Sequence, residues 1–379
     1  MQYRTLKKAG VEVSALGLGC MRLPQHGSRI DRPQALKMMR TAVDRGVNYF
    51  DTAYMYHNGE SEQVVGEALK EIGRDKVYVA TKMPCSSVNT KEDLRRILDE
   101  QLKKLGVDTI DFYLLHALSM NTWKKMQELD ILTFLDKAVE QGKIRFPGFS
   151  HHDNIDNFKD IVDAYPKWVL AQIILNYFDD QYQAGLPGCD YAAERDIGIV
   201  VMEPLKGGAL SAEVPESVAA LFRERDKDIT LAEWALRWLY GIPQVVCTLS
   251  GASSMEQWEE NVRSYEKFSG LSDIALSEPE KELFAAAKVE FMKAAKGVGC
   301  TTCRYCLPCP SGVDIPGVFA NYNLIKVFGQ PGTAKMRYAR LIYSGTSGDK
   351  CTKCGHCEEV CPQHLPIMKL LEEAHAPMK

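Results

Sequence analysis

The sequence lacks the features that place a protein in a membrane or on nucleic acid. It has no run of about 18 apolar residues, so we expect no membrane-spanning helix. Its formal net charge is −4, which leaves no basic footprint for nucleic acid. The N-terminal stretch lacks the apolar segment of an export signal, so we expect a cytoplasmic protein. In that compartment the 12 cysteines indicate metal or redox chemistry rather than disulfides.

The sequence also lacks the GxGxxG fingerprint that follows the first strand of a Rossmann-type dinucleotide site. The corresponding segment, Gly17 to Cys20, reads GLGC. An open doubly wound sheet that binds a nicotinamide cofactor in that way is therefore disfavoured.

What the sequence does contain is an alternation of short apolar runs and longer segments with helical periodicity, such as Lys91–Leu105. The runs are Ser14–Cys20, Val47–Ala53, Val77–Met83, Asp111–His116, Ile144–Ser150, Val169–Asn176, Ile197–Glu203 and Val245–Ser250. Such alternation indicates parallel strands with right-handed crossovers. Eight units in roughly 250 residues predict an α/β fold, a (β/α)8 TIM barrel. We place it in residues 1–296, with a short hairpin at Tyr3–Ser14 closing its floor.

Ionisable residues close three successive predicted strands. Asp51, Lys82 and His116 end the second, third and fourth apolar runs, and Tyr56 follows Asp51 by five residues. In a barrel of this kind the carboxyl ends of the strands carry the chemistry, so we expect all four in one mouth. An ammonium held by a carboxylate lowers the pKa of a nearby phenol, whose unperturbed pKa is about 10. The set therefore predicts a proton donor, Tyr56, beside a carbonyl oriented by His116.

Each of these residues alone has a simpler interpretation. A single Asp, Lys or His at the end of a strand is usually a salt bridge in a loop or a satisfied helix cap. Four such residues on three successive strand ends are much harder to explain in that way.

The chain from about residue 3 to 296 resembles the aldo-keto reductases. The similar segments are DTAYMYHNGESEQVVGEAL, VATKMP, DTIDFYLLHAL, FPGFSHHD, QIILNYFD, MEPLKGGAL and SGASSMEQWEEN. The resemblance implies hydride transfer from NADPH to an aldehyde or ketone. It also implies a catalytic tetrad, in which Tyr56 is the general acid, Asp51 and Lys82 tune it, and His116 orients the substrate.

The resemblance further implies a set of cofactor contacts. Ser150 and Gln172 would hold the carboxamide, and the loop from Pro204 through Leu205 and Gly207 to Leu210 would close over the pyrophosphate. The adenosine end would be held by Gly251, Ser253, Gln257, Glu260 and Asn261. Two of these positions depart from the common pattern, because Gly251 and Gln257 stand where many members carry the Lys and Arg that bind the 2′-phosphate. NADH is therefore the alternative cofactor.

Eight cysteines cluster near the C-terminus in two similar runs. Cys351, Cys354, Cys357 and Cys361, followed by Pro362, fit the ferredoxin run CxxCxxCxxxCP. Cys300, Cys303, Cys306 and Cys309, followed by Pro310, match it except that the last gap is one residue shorter. In two-cluster ferredoxins the fourth cysteine of each run binds the other cluster.

We therefore predict two 4Fe-4S clusters in a C-terminal, mostly helical, ferredoxin-like iron–sulfur domain at residues 297–379. Cys300, Cys303 and Cys306 would share a cluster with Cys361, and Cys351, Cys354 and Cys357 would share the other cluster with Cys309. Paired CxxC sequences also suit zinc, which is the alternative metal. The short gap of the first run leaves open a distorted site or a single cluster.

Two functions of different classes remain. The first is an NAD(P)H-dependent reductase that acts on a small carbonyl substrate and carries the clusters as structural or electrically linked groups. The second is an electron-transfer or redox-sensing protein that uses the barrel as a nucleotide-binding scaffold and has an electron-transfer protein as partner. The complete tetrad favours the first.

Overall fold

The computed structural model describes residues 1–212, 214–294, 297–300, 305–361 and 363–379. Within these ranges the strands are β1 (Tyr3–Leu6), β2 (Val11–Ser14), β3 (Leu16–Gly19), β4 (Gln25–His26), β5 (Arg29–Ile30), β6 (Tyr49–Asp51), β7 (Tyr78–Met83), β8 (Ile110–Leu118), β9 (Ile144–His151), β10 (Leu170–Ile174), β11 (Gly198–Met202) and β12 (Val245–Ser250). The helices are α1 (Arg32–Asp44), α2 (Ser61–Ile72), α3 (Lys91–Leu105), α4 (Met120–Glu128), α5 (Ile131–Glu140), α6 (Ile155–Ala164), α7 (Gly185–Ala193), α8 (Glu216–Arg225), α9 (Leu231–Tyr240), α10 (Met255–Phe268), α11 (Glu278–Ala294), α12 (Ile315–Lys326), α13 (Pro331–Tyr343), α14 (His356–Glu359) and α15 (Ile367–Met378).

The predicted barrel is confirmed. Eight parallel strands close on themselves in the order β3, β6, β7, β8, β9, β10, β11 and β12, which is also their order along the chain. Each of them lies within or overlaps one of the eight apolar runs. Every residue of β3 and of β10 is buried, as expected for parallel strands that are covered on both faces.

Local sequence sets the ends of the helices that cover the barrel. Thr90 and Asp93 form a reciprocal capping box at the start of α3, and Gly106 ends that helix in the left-handed region at φ +64°. Helix α3 therefore begins and ends where its sequence pattern predicts, which fixes the approach of the chain to the next strand.

The hairpin of β1 and β2 covers the amino-terminal end of the barrel. Leu6 and Val13 belong to the same buried cluster as Tyr49 and Phe112 from the barrel strands. Gly198, the first residue of β11, allows this contact, because a Cβ there would lie 2.2 Å from the Leu6 side chain. The hairpin fills this end of the barrel, so we expect the catalytic residues at the opposite end, where the strands have their carboxyl ends.

The described chain divides into two compact units. The first comprises Met1–Gly207 with Ala232–Leu276, and the second comprises Gly208–Leu231 with Ser277–Lys379. The second unit is helical, as predicted, and in it Phe222 of α8 and Phe284 of α11 have ring centroids 5.9 Å apart. The boundary after residue 296 stays a prediction, since compact units need not coincide with functional domains. Among the described residues, none of the helices has the length and apolarity needed to span a bilayer.

Candidate functional site

The site in the barrel begins with a buried ion pair on two neighbouring strands. Asp51 is the last residue of β6 and Lys82 lies near the end of β7. Lys82 Nζ donates to Asp51 Oδ1 at 2.6 Å and to the Thr52 carbonyl at 2.8 Å. Both charged side chains are almost completely shielded from solvent. A charge buried this deeply is stable only with a partner, so the two residues hold each other in place.

Tyr56 lies in the short turn Tyr56–Gly59, which follows β6. Its hydroxyl is 3.5 Å from Lys82 Nζ, and its ring meets the His116 imidazole edge-on with centroids 5.9 Å apart. Unlike the ion pair, Tyr56 and His116 are only half-buried. The structure thus brings the four predicted residues together at the carboxyl ends of the strands, with Tyr56 and His116 less buried than the ion pair.

The turn is held by a residue that the sequence analysis did not single out. His57 has a left-handed backbone at φ +51°, and its Nε2 accepts the Leu23 N–H at 3.2 Å. Its Nδ1 lies 3.0 Å from the Gln25 side-chain amide. His57 therefore ties the turn that carries Tyr56 to the loop after β3. Its position next to Tyr56 was the only signal in the sequence.

The charges of the site differ in one respect from the prediction. Burial lowers the pKa of Lys82, but Asp51 and Tyr56 more than offset this, so the net pKa is raised and the ammonium is retained. Burial raises the pKa of Tyr56; Lys82 opposes this, as predicted, but does not reverse it. Tyr56 is therefore a protonated phenol across the neutral range rather than a readily ionised one.

The two residues expected at the carboxamide lie side by side. Gln172 of β10 and Ser150 of β9 are opposite each other in the strand register, and both are buried. Gln172 Nε2 donates to Asp51 Oδ2 at 2.9 Å. Ser150 Oγ accepts the N–H of Ala117, the residue after His116, at 2.7 Å. Both side chains therefore contact the tetrad or its backbone.

The other residues expected at the cofactor lie after β11, after β12 or in α10. Pro204, Leu205 and Gly207 follow β11, while Leu210 is buried in the second unit. The remaining positions lie after β12 or in α10: Gly251, Ser253, Gln257, Glu260 and Asn261.

The loop after β12 presents both exposed and buried residues. Ser253 donates its backbone N–H and its hydroxyl to the Gln257 side-chain oxygen, at 3.0 and 3.2 Å, on the surface at the start of α10. Asn261 is buried instead and donates to Ser250 Oγ at 2.8 Å. Ser253 and Gln257 are thus available to a nucleotide, whereas Asn261 fixes the loop.

A second buried ion pair was also missed. Lys206, in the loop after β11, pairs with Asp179, in the loop after β10, and both side chains are shielded from solvent. Lys206 Nζ also lies 5.3 Å from the centroid of the Phe178 ring. The prediction for this loop rested on its glycines and did not include Lys206, the residue before them.

Arg22, after β3, was missed as well. Its guanidinium donates to the Gly207 carbonyl at 3.4 Å, and its side chain passes beside Gly251. It places a cation between the loop after β11 and the loop after β12.

His151 follows Ser150 and is the last residue of β9. Its ring is buried, and Nε2 lies 3.3 Å from Asn157 Oδ1. Within the described ranges, Nδ1 has no hydrogen-bond partner. Burial lowers the pKa of His151 to about 3, so the ring stays neutral near neutral pH.

In the second unit, helices hold the segments next to the cysteine runs. The Asn323 side chain of α12 accepts the Val298 N–H at 2.8 Å and donates to the Val298 carbonyl at 3.0 Å. The Tyr338 hydroxyl of α13 accepts the Gly348 N–H at 2.9 Å. The runs that begin at Cys300 and Cys351 are thus each anchored shortly before their first cysteine.

Five of the predicted ligands line one pocket. They are Cys306, Cys309, Cys351, Cys354 and Cys357, and the other lining residues include Ile315, Met368 and Leu371. Cys309 therefore lies with the second run, but so does Cys306, which the crossed pairing assigns to the other cluster, so that pairing stays a prediction. Cys300 and Cys361 do not line this pocket, and Cys303 lies outside the described residues.

The chemistry of this pocket fits an iron–sulfur cluster. Cysteines from both runs meet against an apolar wall. Lys353 donates its backbone N–H to Cys351 Sγ at 3.4 Å. Hydrogen bonds to sulfur help to set the reduction potential of an iron–sulfur cluster. Burial raises the pKa of Cys357 to about 11, and the thiols of Cys351 and Cys309 add to this, so a bound metal is needed to keep the thiolates.

Comparison with protein families matches both parts of the chain. A model of the aldo/keto reductase family matches residues 15–277. A model of the 4Fe-4S dicluster domain matches residues 299–365. The second match favours iron–sulfur over the zinc alternative.

Two relatives with named activities are similar over most of this chain. L-galactose dehydrogenase of Arabidopsis thaliana is 26% identical over 74% of this chain and 93% of that protein. L-glyceraldehyde 3-phosphate reductase of Escherichia coli strain K12 is 27% identical over 70% of this chain and 87% of that protein.

Solved structures of aldo-keto reductases also match this chain. The holo form of an aldo-keto reductase from Bacillus halodurans matches with a TM-score of 0.62 and 26% identity, over 76% of this chain and 96% of that one. An aldo/keto reductase from Klebsiella pneumoniae, in complex with NADP and acetate, matches with a TM-score of 0.60 and 25% identity, over 74% of this chain and 93% of that one.

Proposed function

The chain belongs to the aldo/keto reductase family, and from that premise we propose that it is an NADPH-dependent carbonyl reductase with Tyr56 as the general acid. The observation that supports this most strongly is the buried Lys82–Asp51 pair, with the Tyr56 hydroxyl 3.5 Å from its ammonium. The imidazole of His116 packs against the Tyr56 ring and completes the tetrad. A phenol, a cation and an imidazole in one cluster can supply a proton to a carbonyl, stabilise the phenolate that remains and orient the carbonyl oxygen.

The residues divide the work in this proposal. A reduced nicotinamide, when bound, supplies the hydride. Tyr56 gives its proton to the carbonyl oxygen, so that hydride and proton together turn the carbonyl into an alcohol. Lys82 stabilises the phenolate that remains, and His116 fixes the direction of the carbonyl oxygen. Because burial raises the pKa of Tyr56, the proton is present throughout the neutral range.

The relatives support a proposal for the substrate class. We propose a small aldehyde or ketone, and the names of the similar enzymes point to hydroxylated aldehydes and sugars as the first compounds to try. NADPH is the proposed cofactor because a similar structure holds NADP. NADH remains the alternative, since Gly251 and Gln257 offer no cation for a 2′-phosphate.

For the second unit we propose two 4Fe-4S clusters with a structural role. Hydride transfer moves two electrons at once, whereas such clusters pass one at a time, and the sequence shows no motif for a flavin that could convert between them. An electron-transfer protein would be the partner only if the clusters exchange electrons. We place the whole protein in the cytoplasm.

The Tyr56→Phe variant tests the reductase proposal. We expect turnover with small aldehydes to fall about a hundredfold to ten-thousandfold, the usual contribution of a general acid. NADPH oxidation is followed under anaerobic conditions, and cofactor affinity is measured in parallel by fluorescence titration. The matched control is Tyr54→Phe, because Tyr54 lies two residues away and its hydroxyl bonds to Glu100 at 3.0 Å, outside the tetrad.

Unchanged turnover in Tyr56→Phe would remove Tyr56 as the acid and favour the alternative in which the barrel is a nucleotide-binding scaffold. Iron and acid-labile sulfide are measured on the same anaerobic preparations. Zinc without iron would contradict the cluster proposal and leave the reductase proposal standing.

A further inference from the structure

Of the two side chains expected at the nicotinamide carboxamide, Gln172 is bonded to a tetrad residue and Ser150 to the backbone next to one. Gln172, in the middle of β10, and Ser150, near the carboxyl end of β9, are cross-strand neighbours. Gln172 Nε2 donates to Asp51, and Ser150 Oγ accepts from the backbone beside His116. Asp51 is therefore one hydrogen bond away from the predicted carboxamide site, and His116 is the neighbour of a residue that is.

Gln172 completes the surroundings of Asp51. One carboxylate oxygen accepts from Lys82 at 2.6 Å and the other accepts from Gln172 at 2.9 Å. A buried carboxylate needs donors on both oxygens. The bond fixes the orientation of the Gln172 amide, because Asp51 accepts only from its nitrogen. The carbonyl oxygen of Gln172 must therefore point away from Asp51.

Ser150 has a comparable role beside His116. The pairing of β8 with β9 shifts register between Leu115 and Leu118, and Ala117 within this bulge has a left-handed backbone at φ +55°. Ser150 Oγ accepts the Ala117 N–H at 2.7 Å. A bulge re-aims the side chains within it, so this bond fixes the direction in which His116 points.

Each side chain keeps hydrogen-bonding capacity that matches a primary carboxamide. Ser150 uses its oxygen as an acceptor and still has its O–H to donate. Gln172 uses one N–H and still has a second N–H and its carbonyl oxygen; among the described residues nothing donates to that oxygen. A carboxamide offers one carbonyl acceptor and an amino group with two donors. The two sets are complementary.

We propose that Gln172 and Ser150 couple binding of the nicotinamide carboxamide to the placement of Asp51 and His116, so that each strengthens the other. Both are positioning residues for the tetrad as well as binding residues. The inference rests on the proposed function and adds to it a reciprocal link. If the state of Asp51 changes the affinity for the carboxamide, carboxamide binding must favour that state by the same factor.

The coupling predicts that a change at Asp51 alters cofactor binding, which direct contact of Gln172 with the cofactor alone would not predict. In Asp51→Asn, the new side chain keeps its oxygen toward Lys82 and presents an amide N–H₂ to Gln172. Two donors then face each other, so the Gln172 amide must reverse and offer the wrong pattern to the carboxamide. A substitution at a residue that does not contact the cofactor should therefore weaken its nicotinamide end.

The experiment is a double-mutant cycle on equilibrium affinity. The parent protein, Asp51→Asn, Gln172→Met and the double variant are titrated with NADPH, whose uncharged reduced ring removes a direct charge effect. Each is also titrated with 2′-phospho-ADP-ribose, which lacks the nicotinamide. If NADH proves to be the cofactor, NADH and ADP-ribose replace them.

We expect Asp51→Asn to weaken NADPH binding on the order of tenfold and the nicotinamide-free ligand not at all, since about two neutral hydrogen bonds are lost. In the Gln172→Met background, the same change should have no further effect. Equal effects of Asp51→Asn in both backgrounds, or equal effects on both ligands, would overturn the coupling.

The Ser150 arm keeps the test decisive if Asp51→Asn does not fold. Ser150→Ala should weaken NADPH binding about fivefold, the effect of one neutral hydrogen bond, and should also lower kcat. Ser150→Thr, which restores a hydroxyl, should recover both. If affinity falls without any change in kcat, Ser150 only binds the cofactor and the link to His116 is refuted. Since the cycle measures affinity, its result is independent of whether Tyr56→Phe loses turnover.

Discussion

The barrel site and the cysteine-lined pocket are organised by opposite means. In the barrel, Asp51 and Lys82 are buried at strand ends and bonded to each other and to their neighbours. In the second unit, the five cysteines of the pocket are unevenly buried: Cys306 and Cys357 are buried, Cys309 and Cys351 are half-buried, and Cys354 is exposed. The polypeptide alone can fix the first site, whereas we expect the second to gain its final geometry only when metal binds its cysteines.

The surrounding structure differs in the same direction. The barrel strands pair continuously around a closed sheet and enclose one apolar core. The pocket lies among the short helices α12, α14 and α15 and the segments between them. Small helical modules commonly need a metal or another staple for stability. The comparison predicts that damage to one site leaves the other intact, and the following variants test this.

The largest effect is expected from Lys82→Met. It leaves the Asp51 carboxylate buried without a cation, so the barrel should lose about 3–5 kcal/mol of unfolding free energy. It also removes the charge that stabilises the Tyr56 phenolate, so kcat should fall at least about a hundredfold. Kinetics at saturating cofactor and urea unfolding measure the two effects, and iron content should not change.

Lys206→Met is the matched control for that variant. It removes the ammonium of the other buried pair, with Asp179, at the same end of the barrel. It should cost similar stability with a much smaller loss of kcat. An equal loss of kcat in both variants would attribute the effect to folding and not to the tetrad.

The next effect concerns which cysteines share a cluster. Cys309→Ala and Cys357→Ala should each remove the same half of the iron, and combining them should remove no more. Cys309→Ala combined with Cys361→Ala should remove all of it, because the crossed pairing assigns these residues to different clusters. Iron and sulfide are measured per chain, with Cys189→Ala, a buried cysteine of the barrel, as control.

These cysteine variants also test the independence of the two sites. Carbonyl reduction should stay near the parent rate, and the emission of the five tryptophans should be unchanged, since all five lie in the first unit. Loss of reduction in step with loss of iron would mean that the clusters take part in turnover or support the barrel.

The smallest effect is expected from His151→Asn. The folded pKa of about 3 lies below the ordinary value near 6.5, so the unfolded chain binds a proton that the folded chain rejects. Stability is therefore full above the ordinary pKa and is lost as the pH falls below it. Between pH 7.5 and 5.5 the parent should lose about 1.4 kcal/mol through this residue.

The Asn variant should lose that much less over the same range. Denaturant unfolding followed by tryptophan emission measures it, because this signal reports on the barrel alone. His26→Asn, at an exposed histidine, is the control. A pH dependence identical in the parent and in His151→Asn would show that the ring is protonated in the folded barrel.

Much of the fold could be predicted because its determinants are local. The eight apolar runs, the helix Lys91–Leu105 and the floor hairpin were all confirmed. The predicted end of the fourth strand at His116 was less accurate, since β8 continues to Leu118 through a bulge. A bulge arises from pairing with a neighbouring strand, which leaves no periodic signal in either segment.

The site was predicted in part. Asp51, Tyr56, Lys82 and His116 were found from their places at the strand ends, and the structure brings them together. His57, Lys206 and Arg22 were missed, because their partners are distant in sequence. The direction of the Tyr56 pKa was also missed, since it depends on how deeply the hydroxyl is buried.

The sequence by itself determined the number and order of the strands, the residue types at their ends and the spacing of the cysteines. These follow from periodicity and short-range spacing, which depend only on neighbours along the chain. Tertiary structure alone decided that Gln172 meets Asp51, that Ser150 holds the backbone after His116 and that Cys309 lies with the second cysteine run. Such contacts join residues distant in sequence, and they exist only once the closed barrel or the packed helices bring those residues together.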